Sequence, residues 1–110
     1  MRYEIVGIAR AVAKNGDIYK DTKDVISTIG KLIINNRGVI RKIENLQVKP
    51  LPKIMKRNRE SFIVGSHFYV EFDASPGVQS QVFRALRMDT RMIRSTIVKT
   101  GGNSIKDLHK

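Results

Sequence analysis

The sequence predicts an α+β fold of the ferredoxin-like, split β-α-β kind, in which two helices cover one face of a four-stranded antiparallel sheet. The first observation is the order of patterns along the chain, which is strand, helix, strand, strand, helix, strand (βαββαβ). The second is that each helical segment has a single apolar stripe, so both helices must lie on the same face of the sheet and the other face stays open. The third is the length of 110 residues, which allows one domain with one modest core.

The first strand and the first helix occupy the first third of the chain. Arg2–Val12 is a short-range apolar run typical of a strand. Asp21–Asn36 has its apolar residues at spacings of three and four, which predicts a helix. Asp21 or Thr22 can cap the start of this helix. Gly38 would end it, because glycine adopts the left-handed conformation without a steric cost.

A basic, proline-containing segment follows the second strand, which is predicted from Val39 to about Lys49. This segment, VKPLPKIMKRNRESF or Val48–Phe62, is called the basic arm here, and it has five cations and one acid. Its two prolines cannot donate to a ladder, so they belong at a sheet edge or where a hairpin leaves the sheet, and they stiffen its stem. We therefore expect a stiff hairpin tip from which Lys53, Lys56, Arg57 and Arg59 project into solvent. Such a tip would lose little entropy on binding phosphates. The alternative is a solvated charged loop that only keeps the hairpin soluble.

The third strand, the second helix and the fourth strand make up the second half of the domain. Ser61–Asp73 alternates, so that Phe68, Val70 and Phe72 face one side and His67, Tyr69 and Glu71 face the other. Ser75 is a predicted helix cap with Pro76 at the first helical position, and Met92–Thr100 is the last predicted strand. Residues 1–100 therefore form the predicted domain, and residues 101–110 form a polar C-terminal tail.

The charge of the chain favours a polyanionic partner. There are 21 Lys and Arg against 10 Asp and Glu, a formal net charge of +11. Nucleic acid is the first candidate and an anionic membrane surface the second. No apolar run approaches the roughly 20 residues that span a bilayer, so no membrane partner is expected. A second basic region near the end distributes the positive field, as in a protein embedded among phosphates; its members are Arg84, Arg87, Arg91, Arg94 and Lys99.

Catalytic and metal-binding patterns are not found in the sequence. Cysteine is absent, which excludes a disulfide framework, a Cys-ligated metal and thiol catalysis. His67 and His109 are far apart and neither has metal-ligand spacing to a partner. We therefore expect no enzyme activity, no cofactor and no metal.

Two segments suggest alternative functions. SHFYVEF, Ser66–Phe72, has the rhythm of the aromatic strand of RNA-recognition-motif domains, in which bases stack on the open sheet face. In this interpretation Tyr69 and His67 would be accessible on that face for bases to stack on. GVQSQVFR, Gly77–Arg84, resembles the phosphate loop of acylphosphatases, although it falls inside the second predicted helix. A free sheet-face RNA binder and an acylphosphatase-like hydrolase are therefore the alternatives to a phosphate-neutralising protein.

A resemblance to one family spans residues 2–100. Its segments are RYE, NNRGVIRKIENL, PLPK, HFYVEF and RMDTRMIRSTIVK, in that order and spacing. Together they resemble small-subunit ribosomal protein six of the bacterial and organellar type. STIGKLIINNRG, LPKIMK and VQSQVFRALR are similar to fungal mitochondrial members, and the chain is more basic than bacterial members and lacks their acidic tail. Because strand one starts almost at residue 1, we expect an uncleaved mitochondrial address.

The resemblance implies a ferredoxin-like, non-enzymatic structural protein of the small-subunit platform that supports translation. Its partners would be the central domain of small-subunit rRNA, small-subunit ribosomal protein eighteen and other small-subunit ribosomal proteins. The location would be the mitochondrial matrix ribosome, with the bacterial cytoplasm as the alternative. Carried over by position, the rRNA contacts would be Arg2, Lys49 and Lys53, although Pro50 stands where the family usually has a second basic residue. Lys56, Arg57 and Arg59 are added from charge alone. Tyr69 and Arg94 would meet the partner protein.

Overall fold

The computed structural model describes residues 1–13, 15–57 and 59–99, and its elements follow the predicted order. The strands are β1 (Arg2–Ala9), β2 (Val39–Arg57), β3 (Glu60–Asp73) and β4 (Met92–Lys99), and the helices are α1 (Lys20–Asn35) and α2 (Pro76–Met88). The strands form one antiparallel sheet in the order β2-β3-β1-β4. The predicted fold class is confirmed. The predicted polar tail, residues 101–110, lies outside the described residues.

One hydrophobic core lies between the two helices and one face of the sheet. Phe68, Val70 and Phe72 of β3 face it, as their alternation predicts, and all three are at most 1% exposed. The helices contribute one stripe each, which includes Val25, Ile29 and Ile33 of α1 and Val78, Val82 and Leu86 of α2. Single stripes on both helices leave the opposite face of the sheet uncovered, and we call it the open face.

The start of α1 differs from the prediction. Neither Asp21 nor Thr22 caps the helix, because the apolar period continues one turn back from Val25 and places both side chains in the interior. Asp21 is 1% exposed and pairs with Arg10, with 2.7 Å between its Oδ2 and the arginine Nε. Thr22 Oγ1 donates to Ser66 Oγ at 2.7 Å. The N-terminal cap that does form at the other helix is the predicted one, in which Ser75 Oγ accepts from Val78 N–H at 3.3 Å.

The end of α1 uses its glycine for space rather than for a left-handed turn. The left-handed residue is Arg37, with φ of 64°, and Gly38 lies outside that region. A Cβ added to Gly38 would lie 2.6 Å from Ile33 Cγ2 and 2.9 Å from the carbonyl oxygen of Asp73. Gly38 is therefore required because the chain passes directly between α1 and the end of β3.

Replacing Gly38 with Ala is expected to destabilise the protein by about 1–3 kcal/mol, because backbone oxygens cannot yield to the added methyl group as a flexible side chain would. Gly77→Ala is the matched control, since nothing lies within 4 Å of the added Cβ and the residue is in the first turn of α2. That variant should be neutral or more stable by up to about 1 kcal/mol. Urea unfolding measures both, and equal midpoints would contradict the close approach at Gly38.

Strand β2 is longer than predicted and includes most of the basic arm. The sequence predicts an end near Lys49, whereas the strand continues to Arg57, which pairs with Glu60. The register shifts between the pairs Pro50↔Val64 and Met55↔Phe62, so residues 51–54 of β2 face a single residue of β3. β2 is an edge strand, and Pro50 precedes this irregularity while Pro52 lies within it, as expected for residues that cannot donate to a ladder.

Candidate nucleic-acid interface

The basic arm presents four of its five cations to solvent. Lys53, Lys56 and Arg59 are exposed, as the sequence predicts, and Lys49 is exposed as well. The last pair between β1 and β3 is Ala9↔Ser66, and all four cations lie on the part of the β2–β3 hairpin beyond that pair. The hairpin therefore displays these charges past the end of the compact sheet.

The fifth cation, Arg57, does not project into solvent, and that expectation is wrong. Arg57 is half-buried, and its Nη2 donates to the carbonyl oxygen of Arg87 and lies 3.5 Å from that of Asp89. These carbonyls belong to the C-terminal end of α2, where the helix dipole attracts a cation. Arg57 therefore attaches the arm to α2, and the arm is held by a tertiary contact as well as by its own ladder.

Two adjoining cavities separate the arm from α2 and β4, and we call them together the basic groove. One has a volume of about 240 Å³ and is lined by Arg57, Phe83, Leu86, Arg87, Met92, Ile93, Arg94 and Ser95. The other has a volume of about 280 Å³ and is lined by Lys53, Ile54, Met55, Lys56, Ile93 and Arg94. Because both include Ile93 and Arg94, they form one depression. Five cations line it and no acidic residue does.

The predicted rRNA residue Arg2 is not near the arm. Arg2 is opposite Asp73 in the β1–β3 ladder, whereas the arm begins beyond Ala9 at the other end of β1. About seven strand residues, roughly 24 Å, therefore separate Arg2 from the arm. Arg2 Nε lies 3.2 Å from Asp73 Oδ1 and 3.5 Å from Glu71 Oε1. The Arg41 guanidinium, with a smaller contribution from Arg2, lowers the pKa of Asp73 and keeps this carboxylate ionised. The structure therefore divides the predicted contacts between opposite ends of the sheet.

Tyr69 is on the open face, as predicted, but the expectation that it is accessible is wrong. The residue is 2% exposed, and its hydroxyl donates to Glu4 Oε1 at 2.9 Å and Glu71 Oε2 at 3.3 Å. Its neighbours Val6 and Leu46 pack against it. A ring held in this way cannot stack on a base, which removes the main support for the recognition-motif alternative.

A cleft lies on the open face beneath the arm. Its volume is about 330 Å³, and its lining residues are Val6, Ile8, Pro52, Met55, His67, Arg94 and Thr96. Pro52 and Met55, at the irregular register of the arm, line this cleft together with Val6 and Ile8 of β1. Arg94 is exposed and borders both this cleft and the basic groove, and its contact with a partner protein stays a prediction.

The segments that suggested other functions were an acylphosphatase-like stretch and isolated metal-ligating residues. The acylphosphatase-like segment Gly77–Arg84 lies within α2 rather than in a loop. Residues 1–13, 15–57 and 59–99 contain no group of three or more metal-ligating side chains. Within the same ranges, no helix is long and apolar enough to cross a membrane.

Arg87 is the residue of this surface that the sequence singles out least. It is one of several basic residues near the end of the chain, and only its position in the last turn of α2 distinguishes it. Its guanidinium carbon lies 5.7 Å from the ring centroid of Phe83, one turn earlier, and its carbonyl receives Arg57. The meeting of α2 with the arm is a tertiary contact between residues 30 positions apart, so no local pattern could indicate it.

Known proteins similar to this chain agree with this architecture. The family model described as "Ribosomal protein S6" matches residues 2–99. The Neurospora crassa protein named "Small ribosomal subunit protein bS6m" is 36% identical over 110 residues, covering all of this chain and 90% of that protein. Proteins of the same name from Bos taurus and Gallus gallus are 26% and 24% identical over 98 residues, which are 89% of this chain and 75% and 77% of theirs.

The fold is also similar to a solved structure. The crystal structure of 30S ribosomal protein S6 from Thermotoga maritima superposes with a TM-score of 0.72 at 18% sequence identity. The superposition covers 98% of this chain and 90% of the Thermotoga chain. At this identity the likeness concerns the fold alone.

Proposed function

The chain belongs to the ribosomal protein S6 family, and we propose that it binds small-subunit rRNA through its basic arm and a neighbouring ribosomal protein through its open face. It is a structural constituent of the mitochondrial small ribosomal subunit, in a family that is structural rather than catalytic. The finer proposals are its location in the platform, its contact with the central domain of the rRNA and the identity of its protein neighbour.

The observation that carries the rRNA proposal is the attachment of the exposed arm to α2. Lys49, Lys53 and Lys56 stand on a hairpin held by Arg57, so they lose less conformational freedom on binding than lysines of a mobile loop. Phosphate contacts fix position and orientation without reading bases, and RNA shape then supplies recognition. Arg59 lies at the tip of the same surface. Arg2, at the other end of the sheet, would contact a separate rRNA segment.

The protein neighbour we propose is small-subunit ribosomal protein eighteen, bound at the open face. Arg94 and the cleft beside it would meet this partner directly, whereas buried Tyr69 would contribute by holding Glu4 and Glu71 in place. Cross-linking mass spectrometry of intact subunits tests the assignment. We expect links from Lys42 on the open-face side of β2 to protein eighteen. Links to that protein only from Lys31, on the exposed side of α1, would contradict it.

Sucrose-gradient sedimentation of a mitochondrial lysate, with the chain detected by mass spectrometry, tests membership of the subunit. The chain should sediment with the small ribosomal subunit at low salt and remain with it at moderate salt. Its presence only at the top of the gradient at every salt concentration would contradict the ribosomal assignment.

A further inference from the structure

We propose that the basic groove is a phosphate-binding site in which Arg57 and Arg87 hold one backbone phosphate of the rRNA and Lys53 and Lys56 hold a neighbouring one. This inference rests on the proposed rRNA function and adds a second, inner surface to it. It also changes the role of Arg57 from a projecting arm residue to a ligand at the base of the arm.

The charge of the groove is the first argument. Arg57, Arg87 and Arg94 line one cavity, and none of them forms an ion pair with an acid within the described part of the chain. Glu60, opposite Arg57 in the ladder, lines neither cavity. Asp89, two residues from Arg87, is engaged by Arg91, which bonds to both of its carboxylate oxygens and lowers its pKa. Like charges held together without a counter-ion repel each other, so an anion in this position would stabilise the fold.

The burial of Arg57 is the second argument. Its Nε is buried and lacks a hydrogen-bond acceptor in the described residues, while Nη2 is directed to the end of α2. A partly buried guanidinium with an unsatisfied donor costs free energy unless an acceptor is near. A phosphate oxygen entering the cavity would place such an acceptor beside the guanidinium after a small adjustment of the side chain.

The donor set suits phosphate. Arginine presents a planar fork of N–H groups that matches phosphate oxygens, and the ring of Phe83 holds the guanidinium of Arg87 at one side of the cavity. Ser95 adds a hydroxyl to the same lining. Lysine in the adjoining cavity supplies point charges that need no fixed orientation.

RNA is favoured over an acidic peptide as the ligand because the groove is continuous with the exposed surface of the arm. The groove begins at Lys53 and Lys56, which also stand on the exposed arm surface proposed above to contact rRNA. A nucleic acid strand carries a charge at every nucleotide and can follow a continuous basic strip from the arm to α2. A peptide would need acidic residues at matching intervals along an extended segment.

The test compares Arg87→Gln with Arg84→Gln in the full chain. Both residues are exposed arginines of α2, but Arg84 lines neither cavity of the groove. Binding to a small-subunit rRNA fragment is measured over a range of salt concentrations. We expect Arg87→Gln to reduce the slope of log K against log salt by about 0.7–0.9, the value of one phosphate contact, and Arg84→Gln to change it far less. Arg94 borders the open face as well, so it is not used.

A second measurement uses inorganic phosphate as the probe and the arginine Nε–H resonances as the readout. Addition of phosphate to the wild-type chain should shift the Arg57 and Arg87 signals saturably and leave Arg84 unchanged, and Arg87→Gln should weaken the binding several-fold. Equal salt slopes for the two variants, together with no selective shift, would overturn the groove and leave the arm as the rRNA anchor. Failure of the wild-type chain to bind rRNA would overturn both the proposed rRNA function and the groove. If polyglutamate competes for the groove more strongly than RNA of equal charge, the assignment of RNA as its ligand is overturned.

Discussion

Replacing Lys49, Lys53 and Lys56 together with Gln is expected to reduce the affinity of the chain for small-subunit rRNA about a hundredfold at about 0.1 M salt. Each phosphate contact contributes roughly 0.7 units to the slope of log K against log salt on single strands, so three contacts contribute about 2. The three lysines are exposed, and the described residues contain no ion pair involving any of them, so the fold should be unaffected. Filter binding across a salt series measures both the affinity and the slope.

The matched control removes the same charge from the helical layer. Lys31, Arg37 and Arg84 are exposed on or beside the helices, and replacing them with Gln lowers the formal net charge from +11 to +8, as the arm variant does. A general attraction between a basic protein and RNA would weaken both variants equally. Equal losses would therefore assign the arm to the solvated-loop alternative, whereas a selective loss in the arm variant would support a specific docking surface.

The features that the sequence predicts well are those set by neighbours a few residues away. The alternation around Phe68–Phe72, the stripe of α1 and the Ser75-Pro76 start of α2 each depend on local spacing, and all of them form as expected. The exposed lysines of the arm were also predictable, because polar side chains on an edge hairpin have no element to cover them.

The features that the sequence predicts poorly depend on contacts between distant segments. Arg57 resembles the other cations of the arm, yet its side chain reaches the last carbonyls of α2. Tyr69 alternates as an open-face residue, yet Val6 and Leu46 cover its ring. Asp21 resembles a helix cap, yet Arg10 from the end of β1 reaches it. In each case a side chain of ordinary local pattern has a role that only the tertiary fold assigns.

The Arg10–Asp21 pair belongs to the packing of this protein rather than to its RNA-binding surface. Asp21 is almost fully buried, whereas Arg10 is partly exposed, and the backbone N–H of Arg10 donates to the carbonyl of Arg91 at 2.9 Å. Arg91 precedes β4, so this corner joins the end of β1, the start of α1 and the turn before β4. The groove residues of β4 follow directly, so the pair also helps to fix the base of the basic groove.

Replacing Arg10 with Met is expected to destabilise the protein by about 3 kcal/mol, because the buried carboxylate of Asp21 loses its guanidinium partner. This value is the lower end of the cost of breaking a buried ion pair, since Arg10 itself is partly hydrated. A double-mutant cycle with Asp21→Asn isolates the pair, and we expect a coupling free energy of about 1–3 kcal/mol from urea unfolding. The same cycle with Lys20→Met and Asp24→Asn is the control, since Lys20 and Asp24 form an exposed pair one turn apart on α1 and should show a much smaller coupling. A coupling free energy no larger than that of the control would mean that water screens the Arg10–Asp21 pair as it screens a surface pair. The junction of β1, α1 and β4 would then be held only by the backbone hydrogen bond from Arg10 to Arg91 and by apolar packing.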